Sequence, residues 1–136
     1  MLLCEELKVE YLGELQELTN DLKEKSLKLA EEGSEDEAIL EKIKVNVVDM
    51  FYKLFNVSYR KVYSSGEDSE QELLRKLSQE YFNFFYKIPE PWKEKMVKDK
   101  EFNMMEEYFK EEIKIKTSEQ IKDIFIKHID KYSQED

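Results

Sequence analysis

Residues 34–63 read SEDEAILEKIKVNVVDMFYKLFNVSYRKVY. Ser34 followed three residues later by Glu37 is a capping box, a pattern that begins helices. Apolar residues then recur every three or four positions, which places them on one face of an α-helix. We expect this helix to be the most buried one, with an inner face formed by Ile39, Ile43, Val47, Met50, Leu54 and Val57. A second apolar row, made of Leu40, Phe51, Phe55 and Val62, widens that face.

A helix is predicted on each side of this segment. The stripe of a first helix, over residues 4–32, consists of Leu7, Tyr11, Leu15, Leu18, Leu22 and Leu29. Gly33 stands where a C-terminal cap belongs. A third helix, about residues 68–87, starts with the capping box of Ser69 and Glu72. It ends before Pro89 and Pro91, because proline disfavours the helical conformation in the residue before it.

The rest of the chain is predicted to be helical as well. A short helix has Pro91 in its first turn, a turn follows near residues 99–100, and a further helix runs from Phe102 to about residue 115. Thr117 with Gln120 then caps a last helix, about residues 118–132. The sequence therefore predicts one all-α domain, residues 1–136, with five to six helices in a globin-like or antibiotic-binding-domain bundle.

Charge is abundant and uneven. The chain carries a net charge of −10, and residues 1–37 alone hold 12 acidic and 4 basic side chains. Such a surface repels nucleic acids and anionic membranes as a whole, while a neutral or cationic partner is easier to attract. No signal peptide or membrane-spanning stretch is evident, so we expect a cytoplasmic protein without membrane or direct nucleic-acid contact.

The inventory of reactive residues argues against catalysis. A di-metal site in a helical bundle needs Glu-x-x-His pairs, but His128 is the only histidine and Phe125 precedes it by three positions. Cys4 is the only cysteine, which excludes an internal disulfide and a cysteine-based zinc site, and its acidic neighbours raise the pKa of its thiol. We therefore predict no catalytic residue, no metal and no cofactor.

Aromatic residues crowd around the two prolines. Between residues 84 and 109 lie Phe84, Phe85, Tyr86, Trp92, Phe102, Tyr108 and Phe109. Most of them are expected to pack in the core. One helical face buries only some of these rings, however. The remainder, together with Met96, Met104 and Met105, would suit a cleft for flat or bulky apolar ligands.

The order of these motifs resembles the TipA-like antibiotic-recognition domain (TipAS) of MerR-type multidrug-response regulators. In that family a helix ends in Gly and an acidic segment with Ser starts the next, as residues 66–69 (GEDS) do here. The next helix ends in Phe-Tyr before a turn with Pro and Glu, like residues 85–90 (FYKIPE). A short helix then closes in a run similar to residues 96–102 (MVKDKEF), and the resemblance covers most of residues 34–129.

The resemblance implies an all-α, globin-like fold with a cleft that takes bulky heterocyclic antibiotics and other drugs. It also implies that ligand binding orders the N-terminal part, here residues 1–33, against a core of residues 34–133. The family's founding member captures thiopeptides through a cysteine just after the Phe-Tyr, whereas Lys87 follows here, so covalent capture is not expected. We expect no helix-turn-helix domain in this chain.

Pattern and resemblance together predict non-catalytic binding of bulky hydrophobic or heterocyclic small molecules, for antibiotic or drug recognition, sequestration or transcriptional-response sensing. The residues predicted to line the cleft are Phe85, Tyr86, Trp92, Met96, Phe102, Met105 and Tyr108. The alternative is a helical protein–protein interaction or dimerisation module without a small-molecule ligand, in which helix 1 pairs with itself or a partner through its leucine stripe.

Overall fold

The computed structural model describes residues 3–63 and 69–133, and the regular structure in these ranges is helical. The helices are α1 (Leu3–Glu31), α2 (Glu35–Tyr63), α3 (Glu70–Lys87), α4 (Pro89–Glu101) and α5 (Met105–Ser133). The predicted all-α class is confirmed. The count of five to six helices stays a prediction, because α3 and α4 meet without a loop. The globin-like packing also stays a prediction. The sequence also predicts that Ser64, Ser65 and Gly66 end the second helix. These residues, and residues 66–68 of the TipAS-like motif, lie outside the described residues.

The turn between α1 and α2 is built around Gly33, as predicted. Gly33 has a φ of 84°, a left-handed conformation that glycine adopts without strain. Its N–H donates to the Ala30 carbonyl at 3.1 Å, and the Ser34 N–H donates to the Leu29 carbonyl at 2.8 Å. These two bonds form a Schellman motif. The chain therefore reverses, and α2 returns along α1, where Ser26 Oγ donates to the Ala38 carbonyl at 2.9 Å.

The core lies where α1, α2, α3 and α5 meet. Each of these helices contributes a fully buried ring to a central cluster, namely Tyr11, Phe55, Tyr81 and Phe125. The centroids of these four rings lie between 4.7 and 6.3 Å apart, mostly in edge-to-face contacts. The first half of α1 is thus part of the core, and the ordering of residues 1–33 by a ligand stays a prediction.

The buried face of α2 differs from the predicted inner face. Phe51 and Phe55, which the sequence places in the second row, are fully buried. Ile39, Met50 and Val57 of the predicted inner face are exposed instead. The physical reason is that phenylalanine rings bury more apolar area than the smaller side chains, so they set the rotation of α2 against α1, α3 and α5.

The junction of α3 and α4 is more continuous than the prolines predict. Ile88 keeps a helical conformation (φ −68°, ψ −46°), and its N–H donates to the Phe84 carbonyl at 3.0 Å. Pro89 occupies the first position of α4, where its missing N–H removes no helical bond. The predicted break is therefore a junction one residue long. Partial burial of Ile88 against the core outweighs the bias that proline imposes on it.

One helix of 29 residues, α5, replaces the two that the sequence predicts for this region. Thr117, the predicted cap, lies inside it and donates through Oγ1 to the Ile113 carbonyl at 2.7 Å. Ser118 donates likewise to the Ile115 carbonyl at 2.7 Å. Both side chains are buried, and bonding to the preceding turn satisfies their hydroxyl groups without ending the helix.

Candidate ligand-binding site between α4 and α5

The α4–α5 hairpin turns at Phe102, Asn103 and Met104. Asn103 has a φ of 58°, a left-handed conformation that asparagine tolerates better than most residues. The Met104 N–H donates to the Asp99 carbonyl at 2.7 Å and closes the turn. The turn predicted near residues 99–100 is therefore wrong by about three positions, since α4 continues to Glu101.

Asp99 stays helical because its side chain is buried in an ionic cluster that joins the two helices. The Lys95 ammonium lies 3.0 Å from Asp99, 3.5 Å from Glu107 and 3.6 Å from Glu111. Lys114 adds a second cation 3.2 Å from Glu111. The hydrogen bond to Asp99, with the three nearby carboxylates, raises the pKa of Lys95 above its ordinary value. The cluster therefore holds α4 against α5. The sequence predicted a turn near residues 99–100 only because residues 98–101 are all charged.

A groove opens along the same pair of helices. Its lining consists of Lys93, Met96, Val97, Lys100 and Glu101 from α4 and of Tyr108 and Ile115 from α5. Its volume is about 730 Å³, and it is open to solvent. We call the four apolar lining residues, Met96, Val97, Tyr108 and Ile115, the floor; the charged lining residues are Lys93, Lys100 and Glu101. Such an arrangement suits an apolar ligand that carries a polar group.

Further apolar side chains are exposed beside the groove, around the turn. Phe102 is 72% exposed and Met104 52%, and Met105 and Phe109 are exposed as well. Scattered exposed apolar residues are ordinary, but a group of them at one end of a molecule indicates an interaction surface. We call these four residues, Phe102, Met104, Met105 and Phe109, the hairpin patch.

The structure brings some of the predicted site residues together. Met96 and Tyr108 line the groove, and Phe102 and Met105 belong to the hairpin patch beside it. Trp92 lies half-buried on α4, with the Lys114 ammonium 5.9 Å from its ring centroid. These five residues therefore lie along one hairpin.

The other two predicted site residues lie on α3. Phe85 is in the core, where its ring stacks on Phe51 with the centroids 4.7 Å apart. Tyr86 is exposed, and the Lys122 ammonium lies 4.9 Å from its ring centroid. Sequence analysis missed Val97 and Ile115 as lining residues. Val97 lies one helical turn after Lys93, and Ile115 lies two turns after Tyr108. Helical spacing could therefore have identified both as lining residues.

The potentially reactive side chains lie elsewhere. His128 Nε2 is 2.9 Å from Glu14 Oε1, and its ring lies beside Tyr11, so His128 is a half-buried residue at the edge of the core. Burial, with a smaller contribution from Glu70, raises the pKa of Cys4 to about 11, while a bond from Tyr63 opposes it. In the described ranges no group of three His, Cys, Asp or Glu side chains could hold a metal ion.

Comparison with known proteins adds no relative. No protein-family model matches the sequence, and no curated protein or solved structure is significantly similar to the chain. The resemblance to TipAS domains therefore rests on the ordered motifs alone. Within residues 3–63 and 69–133, no helix has both the length and the apolar character of a membrane span.

Proposed function

We propose that this protein is a non-catalytic binding domain that takes bulky apolar or heterocyclic small molecules in the α4–α5 groove. The observation that carries the proposal is the apolar floor of Met96, Val97, Tyr108 and Ile115, left open to solvent beside a further exposed apolar patch. The groove falls within the range of about 300–1,000 Å³ that small-molecule sites occupy. A flexible thioether and a flat phenol ring adapt to ligands of different shapes.

The resemblance to TipAS domains supports a drug or antibiotic as the ligand. Lys87 stands where the family's founding member has its capturing cysteine, so the resemblance implies no covalent capture at that position. Sequestration of the ligand in the cytoplasm, or sensing of it together with a separate regulator, is the role that we propose.

Fluorescence and thermal unfolding test the proposal. Trp92 is the only tryptophan and lies on α4, so a ligand in the groove is expected to change its emission. A ligand that binds only the folded state also raises Tm, by about 5–10 °C at a hundredfold excess over Kd. A broad panel of hydrophobic dyes and heterocyclic drugs that produces neither effect contradicts the proposal.

A matched pair of variants locates the site. Val97→Asp places a charge on the groove floor and is expected to abolish both effects. Val9→Asp is the control. Val9 is about as exposed as Val97 (62% and 68%), but it lies on α1 and does not line the groove. Equal loss of binding in both variants would point to a general effect of the new charge.

The hairpin patch favours a second candidate function, a helical protein–protein interaction module. Phe102 and Phe109 expose large rings that a protein partner, or a second copy of the chain, would cover. Helix 1 is less suited to this role, because Leu7, Tyr11 and Leu15 of its stripe are already buried within the chain.

Sedimentation velocity of the wild type against Phe102→Asp and Leu18→Asp tests self-association through these two surfaces. A dimer that Phe102→Asp dissolves supports the hairpin patch, whereas one that Leu18→Asp dissolves supports helix 1. A monomer for the wild type and both variants removes self-association.

A further inference from the structure

Two of the lysines that line the groove have no carboxylate partner among the residues that the structure describes. Lys93 and Lys100 line the groove, and neither forms an ion pair within residues 3–63 and 69–133. They are seven residues apart on one face of α4, or about 10 Å along the axis, and Met96 and Val97 lie between them. The apolar floor thus lies beside two positive charges that form no ion pair with the described part of the chain.

Two other lysines of the hairpin, Lys95 and Lys114, form ion pairs with carboxylates. Lys95 is surrounded by Asp99, Glu107 and Glu111, and Lys114 pairs with Glu111. Lysine side chains commonly lay their methylene stems along apolar surface and keep the ammonium in water. Lys93 and Lys100 can therefore border an apolar ligand and still meet a negative charge on it.

The net charge of −10 favours neutral or cationic partners at long range. At about 0.15 M salt, however, exposed charges more than about 8 Å apart are largely screened. The charges within a few ångströms of a bound ligand therefore decide its preference. Those that line the groove are Lys93, Lys100 and Glu101.

We infer that the groove selects anionic amphiphiles, with the apolar body of the ligand on the floor and its carboxylate or sulfonate beside Lys93. The inference rests on the proposed function and adds the chemical class of the ligand. Lys93 is the preferred end because Glu101 adjoins Lys100 in sequence and also lines the groove. A ligand anion beside Lys93 lies eight residues, or about 12 Å along the helix axis, from Glu101, and the acidic residues nearest Lys93 on α4, Glu90 and Glu94, do not line the groove.

Two fluorescent probes with the same ring system test this selectivity. 1-Pyrenebutyrate is anionic and 1-pyrenebutanol is neutral, and quenching of Trp92 emission follows the binding of either. Exposed ion pairs contribute modestly, so the butyrate is expected to bind about threefold to fivefold more tightly than the butanol at low salt. Screening is expected to remove most of this difference at 0.5 M NaCl.

Single substitutions assign the effect to residues. Lys93→Gln is expected to weaken the butyrate to the level of the butanol and to leave the butanol unchanged. Lys98→Gln is the control, since Lys98 is an exposed lysine of α4 that does not line the groove. Glu101→Gln is expected to tighten the butyrate about twofold.

The outcomes separate this inference from the function on which it rests. Equal affinity for the two probes, or an equal effect of Lys93→Gln and Lys98→Gln, overturns the selectivity and leaves the apolar site standing. Failure of both probes to bind, or binding that survives Val97→Asp, overturns the site as well.

Discussion

Tyr81 joins three helices through its hydroxyl group. It donates to the Phe51 carbonyl on α2 at 3.0 Å, and its oxygen lies 2.6 Å from the hydroxyl of Tyr11 on α1. Because Tyr81 already donates to Phe51, the shared proton of the second bond comes from Tyr11. Burial raises the pKa of both hydroxyls above the ordinary value, so both remain protonated donors at neutral pH.

We expect Tyr81→Phe to destabilise the protein by about 1–3 kcal/mol, because it leaves a buried carbonyl and a buried hydroxyl without their partner. Tyr11→Phe is the matched variant, with an expected loss of about 1 kcal/mol, since Tyr81 still bonds to Phe51. Urea unfolding of the two variants checks the order. A larger loss in Tyr11→Phe would contradict the direction of the proton chain.

Gly33 and Gly13 provide a second test at the level of the residue. Gly33→Ala is expected to cost about 1 kcal/mol, because alanine is strained at a φ of 84°. Gly13 lies within α1, and a Cβ atom there would meet nothing within 4 Å. Gly13→Ala is therefore expected to stabilise by about 0.5–1 kcal/mol through helix propensity. Thermal unfolding gives both signs, and a destabilised Gly13→Ala would contradict the open space around it.

Three residues show where a short sequence pattern predicts the end or start of a helix correctly and where it fails. Gly33 and Ser69 act as predicted, and Ser69 Oγ accepts from the Glu72 N–H at 3.3 Å. Thr117 follows the same pattern but lies inside a helix. The difference is that Thr117 is buried and bonds to the preceding turn, which a short sequence window does not reveal.

At the level of the elements, an ionic cluster joins α1 to α5. Glu14 lies 2.7 Å from the Lys127 ammonium and 2.9 Å from His128, and Glu10 lies 3.0 Å from the Lys131 ammonium. Glu10 pairs with a residue nearer the C-terminus than Glu14 does, so the two helices run antiparallel. Burial raises the pKa of Glu14, but the bonds from Lys127 and His128 outweigh it and lower the pKa below its ordinary value of 4.5.

A pH titration of stability tests this cluster. A carboxyl group with a lowered pKa stabilises the fold above the pKa of the unfolded chain and loses that effect as the pH falls through the folded value. Glu14→Gln is therefore expected to cost about 0.5–1 kcal/mol at pH 7, and the difference from the wild type is expected to shrink below about pH 4.5.

Glu17→Gln serves as its control, because Glu17 is an exposed acid of the same helix. Its Tm is expected to follow that of the wild type between pH 7 and pH 3. A constant gap between Glu14→Gln and the wild type over that range would show that the lost stability is not electrostatic.

For the whole molecule, the helices differ in how many neighbours support them. α3 packs against α1, α2, α4 and α5, whereas α4 packs closely only on α5 and α3 in the described ranges. The apolar faces of α3 and of the second half of α5 enter the core, but α4 buries only Pro89 and Asp99. α4 therefore relies on one ionic cluster and on its contacts with α5 and α3.

Hydrogen exchange followed by mass spectrometry is expected to show weaker protection in α4 than in α3 and the second half of α5. Amides in the middle of α4 are expected to exchange faster than those in the middle of α3 and those of residues 121–129, because local opening needs less free energy where fewer apolar groups are buried. A ligand in the groove is expected to slow α4 selectively. Equal protection of α3 and α4 would contradict the marginal packing of α4.

The amino-acid sequence by itself determined the all-α class, the helix end at Gly33 and the helix start at Ser69. It also indicated that the rings near the two prolines exceed what a core needs, and Tyr86, Phe102 and Phe109 are indeed exposed. These features depend on spacing, capping and composition, which act over a few residues.

Only the tertiary structure decided which face of α2 is buried, where α4 turns into α5 and which residues line the groove. Phe51 faces Phe85, Tyr81 bonds to Tyr11, and Lys95 gathers Asp99, Glu107 and Glu111. The physical reason is that each arrangement depends on contacts between helices. The free energy of burying a ring or an ion pair depends on the partner that packing supplies, and the spacing within one helix does not encode that partner.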